Sequence, residues 1–331
     1  MGERVFIGIP TLNRPALVRE TIASVQAQTY GDYRVVVSDN VSDAGVADSV
    51  RDFVDGLGDA RFTFHRQPEN VGEYGQGRFF FREASDCRYM MILHDDDVIK
   101  SYYLENAVAA LEKNTGAAFF VANPYLMDEK GVVSVKDTMR YRESSGRARY
   151  AEGEIDVLHT HMFYGFTPIS GTVFRMAALV DSGFVDEDCH GNFPFECNIF
   201  LRLGERGAKA WYLPEELLGF RFHSESLRNY LRLTENPQVV ETMIRIFSRR
   251  RFTGPIERRR RVVLSSLYRA RMLIRIRSGD RAGARLDIMN ALRENIVSPK
   301  AWFWAPVVLA APGLVGRMLT DIPEARVRPK L

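Results

Sequence analysis

Over the first 125 residues the apolar positions switch repeatedly between two periods. Short runs rich in β-branched and aromatic residues fall at Val5–Ile9, Tyr33–Ser38, Arg61–His65, Tyr89–Leu93 and Ala117–Ala122, and each reads as a buried strand. Between them lie stretches with apolar residues at helical spacing: Pro15–Thr29, Val46–Val54, Gly75–Ala84 and Tyr102–Leu111. The first has Pro15 near its start and Leu17, Val18, Ile22 and Val25 on one side. Strands joined by helices predict right-handed βαβ units and a mostly parallel sheet. From Tyr125 to Tyr150 the pattern dissolves, and short polar strands and loops are expected there. Order returns with a strand at Ser170–Phe174, helices around Ala177–Asp181 and Phe195–Arg206, and a strand pair at Trp211–Leu213 and Leu218–His223. From Asn229 to Asn295 the chain reads as helical.

Composition narrows this picture at three points. The 331 residues are 46% hydrophobic and 26% charged, as in an ordinary globular protein with a sizeable core. Cys87, Cys189 and Cys197 are scattered, with no metal-ligand spacing, which suits a reducing compartment. The first apolar run is too short for a secretory leader, so the expected location is the cytoplasm. The small net charge of +3 conceals a division. Residues 228–331 hold 22 Lys/Arg against 8 Asp/Glu, and the residues before them are net acidic by 11. We therefore expect an α/β domain over residues 1–227 and a basic, mainly helical region over 228–331.

In an open parallel sheet, ligands bind beyond the carboxyl ends of the strands. The first four strands here lead into polar clusters: Pro10-Thr11-Leu12-Asn13, Ser38-Asp39-Asn40, Glu69-Asn70-Val71-Gly72 and His94-Asp95-Asp96-Asp97. The topology brings all four to one rim. Three carboxylates directly after an apolar strand repel one another unless a cation intervenes. Hard oxygen ligands suit Mg²⁺ or Mn²⁺, which commonly sit between carboxylates and substrate phosphates. The competing reading is a solvated acidic loop that caps the next helix. Asp39 has two readings as well: an acceptor for ribose hydroxyls or a base N–H, or the head of an Asx turn. Neither G-x-G-x-x-G nor a P-loop follows the first strand.

Taken in order, these segments resemble the inverting family 2 glycosyltransferases, which have the GT-A fold. The matching residues are Pro10-Thr11-Leu12-Asn13, Ser38-Asp39-Asn40 (with Asn40 in place of the usual second Asp), Asn70-Val71-Gly72 with Arg78 downstream, and His94-Asp95-Asp96-Asp97 at the D-x-D-type motif. The resemblance continues through Ser170-Gly171-Thr172-Val173-Phe174-Arg175, Phe195-Glu196 ahead of Leu201-Arg202-Leu203, and Phe220-Arg221-Phe222-His223-Ser224-Glu225-Ser226. It covers about residues 4–227. It implies a GT-A domain that takes a nucleoside-diphosphate sugar, UDP-, dTDP- or GDP-linked, at Pro10, Thr11, Asn13, Asp39, Asn70, Gly72, Arg78, Asp95, Gly171 and Arg221. It implies a divalent metal at Asp96 and Asp97, with Asp96 the first choice and His223 as ligand or diphosphate contact. Glu196 falls at the Asp of the family's usual E-D pair and is the implied catalytic base; Phe195 stands where the Glu is usual. Direct displacement by an acceptor hydroxyl inverts the anomeric centre.

The acceptors implied are saccharides or lipid-linked saccharides, as in envelope polysaccharide synthesis. A sugar nucleotidyltransferase would share the acidic site but want a Gly-rich basic loop after the first strand, where only Arg14 is found. A non-catalytic sugar-nucleotide or membrane-binding protein on the same fold would keep Asp39 and the acidic run without the base. In the basic region, seven arginines fall between Arg249 and Arg261, and Ala301–Gly316 carries no charge over 16 residues. That run is too short to span a bilayer and is interrupted by Pro306 and Pro312. With Trp302, Phe303 and Trp304 it suits either interfacial contact at the inner face of the plasma membrane or packing within the protein, a homo-oligomer included. No nucleic-acid recognition motif is present.

Overall fold

The computed structural model describes residues 4–189, 191–222 and 235–310. The chain divides into two compact units, Met1–Glu187 with Phe195–His223 and Asp188–Pro194 with Ser224–Leu331.

The first unit is an α/β sheet domain. Its opening half follows the expected alternation: β1 (Val5–Thr11), α1 (Pro15–Gln26), β2 (Tyr33–Asp39), α2 (Ala44–Gly56), β3 (Phe62–Arg66), α3 (Gly72–Glu83) and β4 (Tyr89–Ile92). The strands β3, β2, β1 and β4 lie side by side and all parallel. Then come β5 (Val98–Ile99), α4 (Tyr103–Lys113), β6 (Ala117–Met127), α5 (Val135–Ser144), β7 (Gly153–Asp156), α6 (Val157–Tyr164), β8 (Val173–Arg175), α7 (Met176–Ser182), α8 (Asn192–Glu205) and β9 (Lys209–Arg221). The sheet order is β3-β2-β1-β4-β8-β6-β9-β5, with β7 also on β9. The short β8 is antiparallel to both β4 and β6, whereas β6 and β9 run parallel.

Strand alternation fixes which side chains meet which layer. Val5, Ile7 and Ile9 pack with Val18, Ile22, Leu104 and Val108 on one face, while Phe6 turns to Phe80, Phe195 and Phe200 on the other. Gly8 sits under the ring of Phe80, where a Cβ would lie 2.4 Å from the ring. The missing side chain therefore lets α3 lie close against β1.

Two segments differ from expectation. Residues 125–150 contain the end of β6 and the helix α5, capped by Ser134, whose side chain accepts from the Asp137 amide. This helix buries only Thr138, so it has no apolar stripe to announce it. The expected strand pair at 211–223 is one long strand to Arg221, with irregular register near Asn123 and Pro124 of its partner; Pro124 has no N–H to offer the ladder. His223 lies outside the described residues.

The second unit contains α9 (Pro237–Ser248), α10 (Gly254–Arg277), α11 (Arg281–Glu294) and α12 (Pro299–Ala310). Its small core includes Met272, Ile276, Ile288, Ala301 and Val308. Asp287 is fully buried between Arg271 (2.7 Å) and Arg275 (3.2 Å), and Arg271 also meets Glu241. Among the described residues no helix is long and apolar enough to cross a membrane.

Candidate active site

The first strand end is tied to the fourth. Thr11 donates its hydroxyl to Asp95 at 2.8 Å, and Arg14, just before α1, reaches Asp95 at 3.2 Å and Asp96 at 2.9 Å. The loops after β1, β2 and β3 are joined by asparagines. Asn13, at φ 56°, receives a hydrogen bond from the Asp43 amide and gives its own amide to Ser42; a short polar side chain tolerates that backbone. Asn40 bonds Asn70 and accepts from the Val71 amide, and Asn70 accepts from Gly72, whose φ of +62° opens α3. Asp39 is fully buried at the end of β2, accepts from the Ser42 amide and has Arg66 3.7 Å away. The Asp39 carboxylate thus closes its loop onto the amide three residues on, one residue beyond an Asx turn. Arg78 is exposed on α3, its guanidinium on the Tyr74 hydroxyl at 2.9 Å. Pro10 pairs with Ser38 in the β1–β2 ladder, next to this rim.

The acidic run sits on a short turn after β4. Asp95 and Asp97 are buried and Asp96 is half-buried. Burial and the Asp96 charge push Asp95 up, against the pull of Arg14 and Thr11. Burial and Asp96 also push Asp97 up to about 7, although His94 and Ser170 oppose this. Ser170 joins the two halves of the sheet here: its hydroxyl accepts from the His94 amide and donates to Asp97. Gly171, at φ +77°, donates to Ile92 and lies against Leu218, where a Cβ would come within 2.9 Å. Arg221, on β9, gives its amide to Asp97 and its guanidinium to the carbonyls of Asp96 and Glu129 and to Glu20. Its contacts hold the acidic turn in place from behind.

Opposite the turn stands a second group. Glu73 in the first turn of α3, His94 and Glu196 on α8 offer atoms all within 4.8 Å of one another, as do His94, Asp96 and Asp97. His94 Nε2 lies 3.4 Å from Glu73. Burial works against its charge, but Glu73, Asp97 and Glu196 outweigh burial and push His94 up to about 10. Burial and the neighbouring Glu73 push Glu196 up to about 8, with His94 and the Ile169 amide pulling the other way. The approach of α8 to α3 depends on Gly77: a Cβ there would stand 2.0 Å from the Phe195 ring. Phe195 is fully buried and meets Tyr74 and Phe184 edge to face. The aromatic residue before Glu196 is therefore a packing anchor that sets the carboxylate beside His94.

The structure thus brings Thr11, Asp95, Asp96, Asp97 and Glu196 to one rim, with Asp39, Asn13, Asn70 and Gly72 in the adjoining loops. Three members, Arg14, Glu73 and His94, take no role from the sequence, although His94 stands within one of the polar clusters. Arg14 directly follows the first polar cluster and Glu73 directly follows Asn70-Val71-Gly72, so adjacency to those clusters was the available signal. The carboxylates around one turn, two of them raised by burial and like charge, form a hard-oxygen donor set that fits a divalent cation.

A mostly parallel sheet flanked by helices, with an acidic turn at its central rim and a buried carboxylate facing it, has the architecture of a GT-A glycosyltransferase domain. Residues 6–173 match the model of the family described as Glycosyl transferase family 2, and the chain belongs to that family. A curated relative is the GalNAc(5)-diNAcBac-PP-undecaprenol beta-1,3-glucosyltransferase of Campylobacter jejuni subsp. jejuni serotype O:2, 26% identical over 73% of this chain and 76% of that protein. Among solved structures, S. aureus TarS 1-349 in complex with UDP-GlcNAc has a TM-score of 0.64 at 13% identity, covering 92% of this chain and 86% of that one. This chain spans about half (54%) of the longer TarS chain. The mannosyltransferase PcManGT from Pyrobaculum calidifontis, with GDP-Man and Mn²⁺, has a TM-score of 0.54 at 17% identity, covering 97% of this chain and 84% of that one.

Proposed function

We propose that residues 1–227 transfer a sugar from a nucleoside-diphosphate donor to a hydroxyl of a saccharide or lipid-linked acceptor, with inversion, in the synthesis of an envelope polysaccharide or another glycoconjugate. The observation that carries this reading is the meeting, at one sheet rim, of the Asp95–Asp97 turn with Glu196 in its ion-paired setting beside His94 and Glu73. Asp39 receives the nucleoside, and Pro10, Thr11, Asn13, Asn70, Gly72, Arg78 and Asp95 frame the donor. Gly171 and Arg221 act on the donor through the shape of the turn they support. Asp96 and Asp97 would hold Mn²⁺ or Mg²⁺, with His223 expected beside them, and the ion supplies Lewis-acid stabilisation of the departing diphosphate.

Glu196, as the carboxylate, accepts the acceptor hydroxyl's proton while that oxygen bonds to the anomeric carbon. The bond from that carbon to the diphosphate oxygen breaks, and the nucleoside diphosphate leaves with the electron pair. His94, held as a cation, adds positive charge where negative charge gathers. The names of the relatives support the donor and acceptor classes: one acts on an undecaprenol-diphosphate-linked saccharide, and two structures hold UDP-GlcNAc or GDP-Man. We place the enzyme in the cytoplasm, docked at the inner membrane face through its basic region 228–331.

A panel of nucleotide sugars, assayed with Mn²⁺ and with a chelator, tests the reading. Asp96→Ala should abolish metal-dependent turnover and leave the fold intact. Glu196→Gln should lower kcat by about two to four decades while donor binding persists. Full turnover in a chelator, near-normal kcat in Glu196→Gln, or a product of retained configuration would each overturn the corresponding part.

A further inference from the structure

The second unit contains a groove of about 210 Å³ between one face of α10, Trp304 of α12 and, at one end, Glu235. Its wall on α10 is Ser266, Arg269, Leu273 and Arg277, at successive helical turns. This is smaller than the roughly 300–1,000 Å³ of a pocket that encloses a drug-sized ligand. It fits a headgroup and the start of a chain.

Arg269 is the anomaly. Several other arginines of the helix meet carboxylates: Arg260 pairs with Glu257 and Glu294, Arg271 with Asp287 and Glu241, and Arg275 with Asp287 and Asp280. Arg269 has no carboxylate partner among the described residues. It reaches only the Ser266 hydroxyl at 3.2 Å, and its Nε is buried with no hydrogen-bond partner. Burial alone acts on it, pulling its pKa down. A half-buried guanidinium with an unanswered donor is costly unless something anionic completes it. Arg277 stands at the same face, 4.0 Å from Glu235, with both side chains about half exposed, so it is only loosely engaged.

The groove wall continues into exposed apolar surface. Phe303, 70% exposed, meets Trp304 edge to face at 5.3 Å. Trp302 folds back to donate to the Ile296 carbonyl, and Ile296 and Val297 are 63% and 78% exposed. Residues 295–310 contain no Asp or Glu. An apolar surface with Lys300 within it and Arg269 and Arg277 in the adjoining groove, against the single groove carboxylate Glu235, is complementary to the anionic interface of a bilayer.

We propose that this groove binds the phosphate headgroup of an anionic lipid, with the phosphate on Arg269 and Arg277, the adjoining hydrocarbon on Leu273 and Trp304, and Phe303, Ile296 and Val297 inserted at the membrane interface. The proposal rests on the membrane-docking part of the reading above and gives that part a specific site.

The test is flotation of the full chain with phosphatidylglycerol vesicles and with phosphatidylcholine vesicles, at low and high salt. Because it reads binding and not turnover, its outcome is independent of whether sugar transfer is found. The chain should float with phosphatidylglycerol, less so at high salt, and not with phosphatidylcholine. Arg269→Met should reduce that partition about five- to tenfold and leave Tm unchanged or higher, since it removes an unpaired buried cation. Phe303→Ser should reduce binding at both salts. Three results would overturn the proposal: equal flotation of wild type and Arg269→Met, a marked fall in Tm in Arg269→Met, or stabilisation by inorganic phosphate alone without vesicle binding. The last would assign the groove to a soluble anion.

Discussion

If Glu196 is the base, the rate must follow its ionisation. Burial and Glu73 hold it at about 8, against 4.5 for a free glutamate. Only about a tenth is then ionised at pH 7 and about a hundredth at pH 6. With the donor found by the panel, kcat/KM should climb about tenfold per pH unit below 8 and level off above about 9. Glu73→Gln is the perturbation that tests the cause. Removing a unit charge within 4.8 Å is worth about 3 kcal/mol at an effective dielectric constant near 20. The same change strips His94 of its partner, which weakens the opposing cation. We therefore expect the inflection to fall by roughly one to two pH units, short of the full Coulomb value. Stability gives a second readout. A carboxyl raised in the folded state binds more protons folded than unfolded between pH 4.5 and about 8, so wild type should lose stability as pH rises through that window. Glu196→Gln should remove the Glu196 share of that slope from urea titrations, leaving the shares of Asp97 and His94, which are also raised in the folded state. A kcat/KM profile that is flat between pH 6 and 9, or an inflection unmoved in Glu73→Gln, would refute the assignment of the base and of its neighbour.

Two further substitutions probe what positions the site, and a third probes the core of the second unit. Gly77→Ala gains helix propensity but drives a methyl into the Phe195 ring, so a net loss of about 1–2 kcal/mol in urea unfolding is expected, with a larger fall in kcat as Glu196 shifts. Thr11→Val keeps the shape and removes the 2.8 Å hydrogen bond to Asp95; about 1–2 kcal/mol of stability and a raised donor KM are expected, and an unchanged KM would detach Thr11 from the site. Asp287→Asn leaves Arg271 and Arg275 around a neutral group at a fully buried position, and calorimetry should register a loss of about 3 kcal/mol with no change in donor KM.

The parallel half of the sheet was legible because its strands are continuous apolar runs and its helices have one-sided stripes. The rim was legible because polar clusters follow those runs directly, and parallel topology places them together whatever the loops do. The rest depends on contacts that no local pattern carries. The antiparallel β8 brings Ser170 onto Asp97 across 73 residues, and nothing in the three-residue strand Val173–Arg175 indicates direction. Helix α5 is polar on nearly all sides, so the apolar periodicity that marks the other helices is absent. Glu73 and Arg14 look like ordinary surface charges in sequence. Their meaning comes from helix packing at Gly77 and from an 81-residue separation closed between Arg14 and Asp95.

That last contact has a thermodynamic consequence. The Arg14 guanidinium bridges Asp95 and Asp96 and so serves as an internal counter-ion for the acidic turn. A divalent ion held by the same oxygens, as proposed above, would have to compete with it, which would weaken cation affinity in the free protein. A diphosphate arriving with the ion offers the displaced guanidinium a new anionic partner. Ion and nucleotide should then bind with positive cooperativity, each tightening the other by the same factor because linkage is reciprocal. Calorimetric titration of Mn²⁺ with and without nucleoside diphosphate would measure that factor, and Arg14→Ala should raise the affinity for the ion alone while shrinking the coupling towards one.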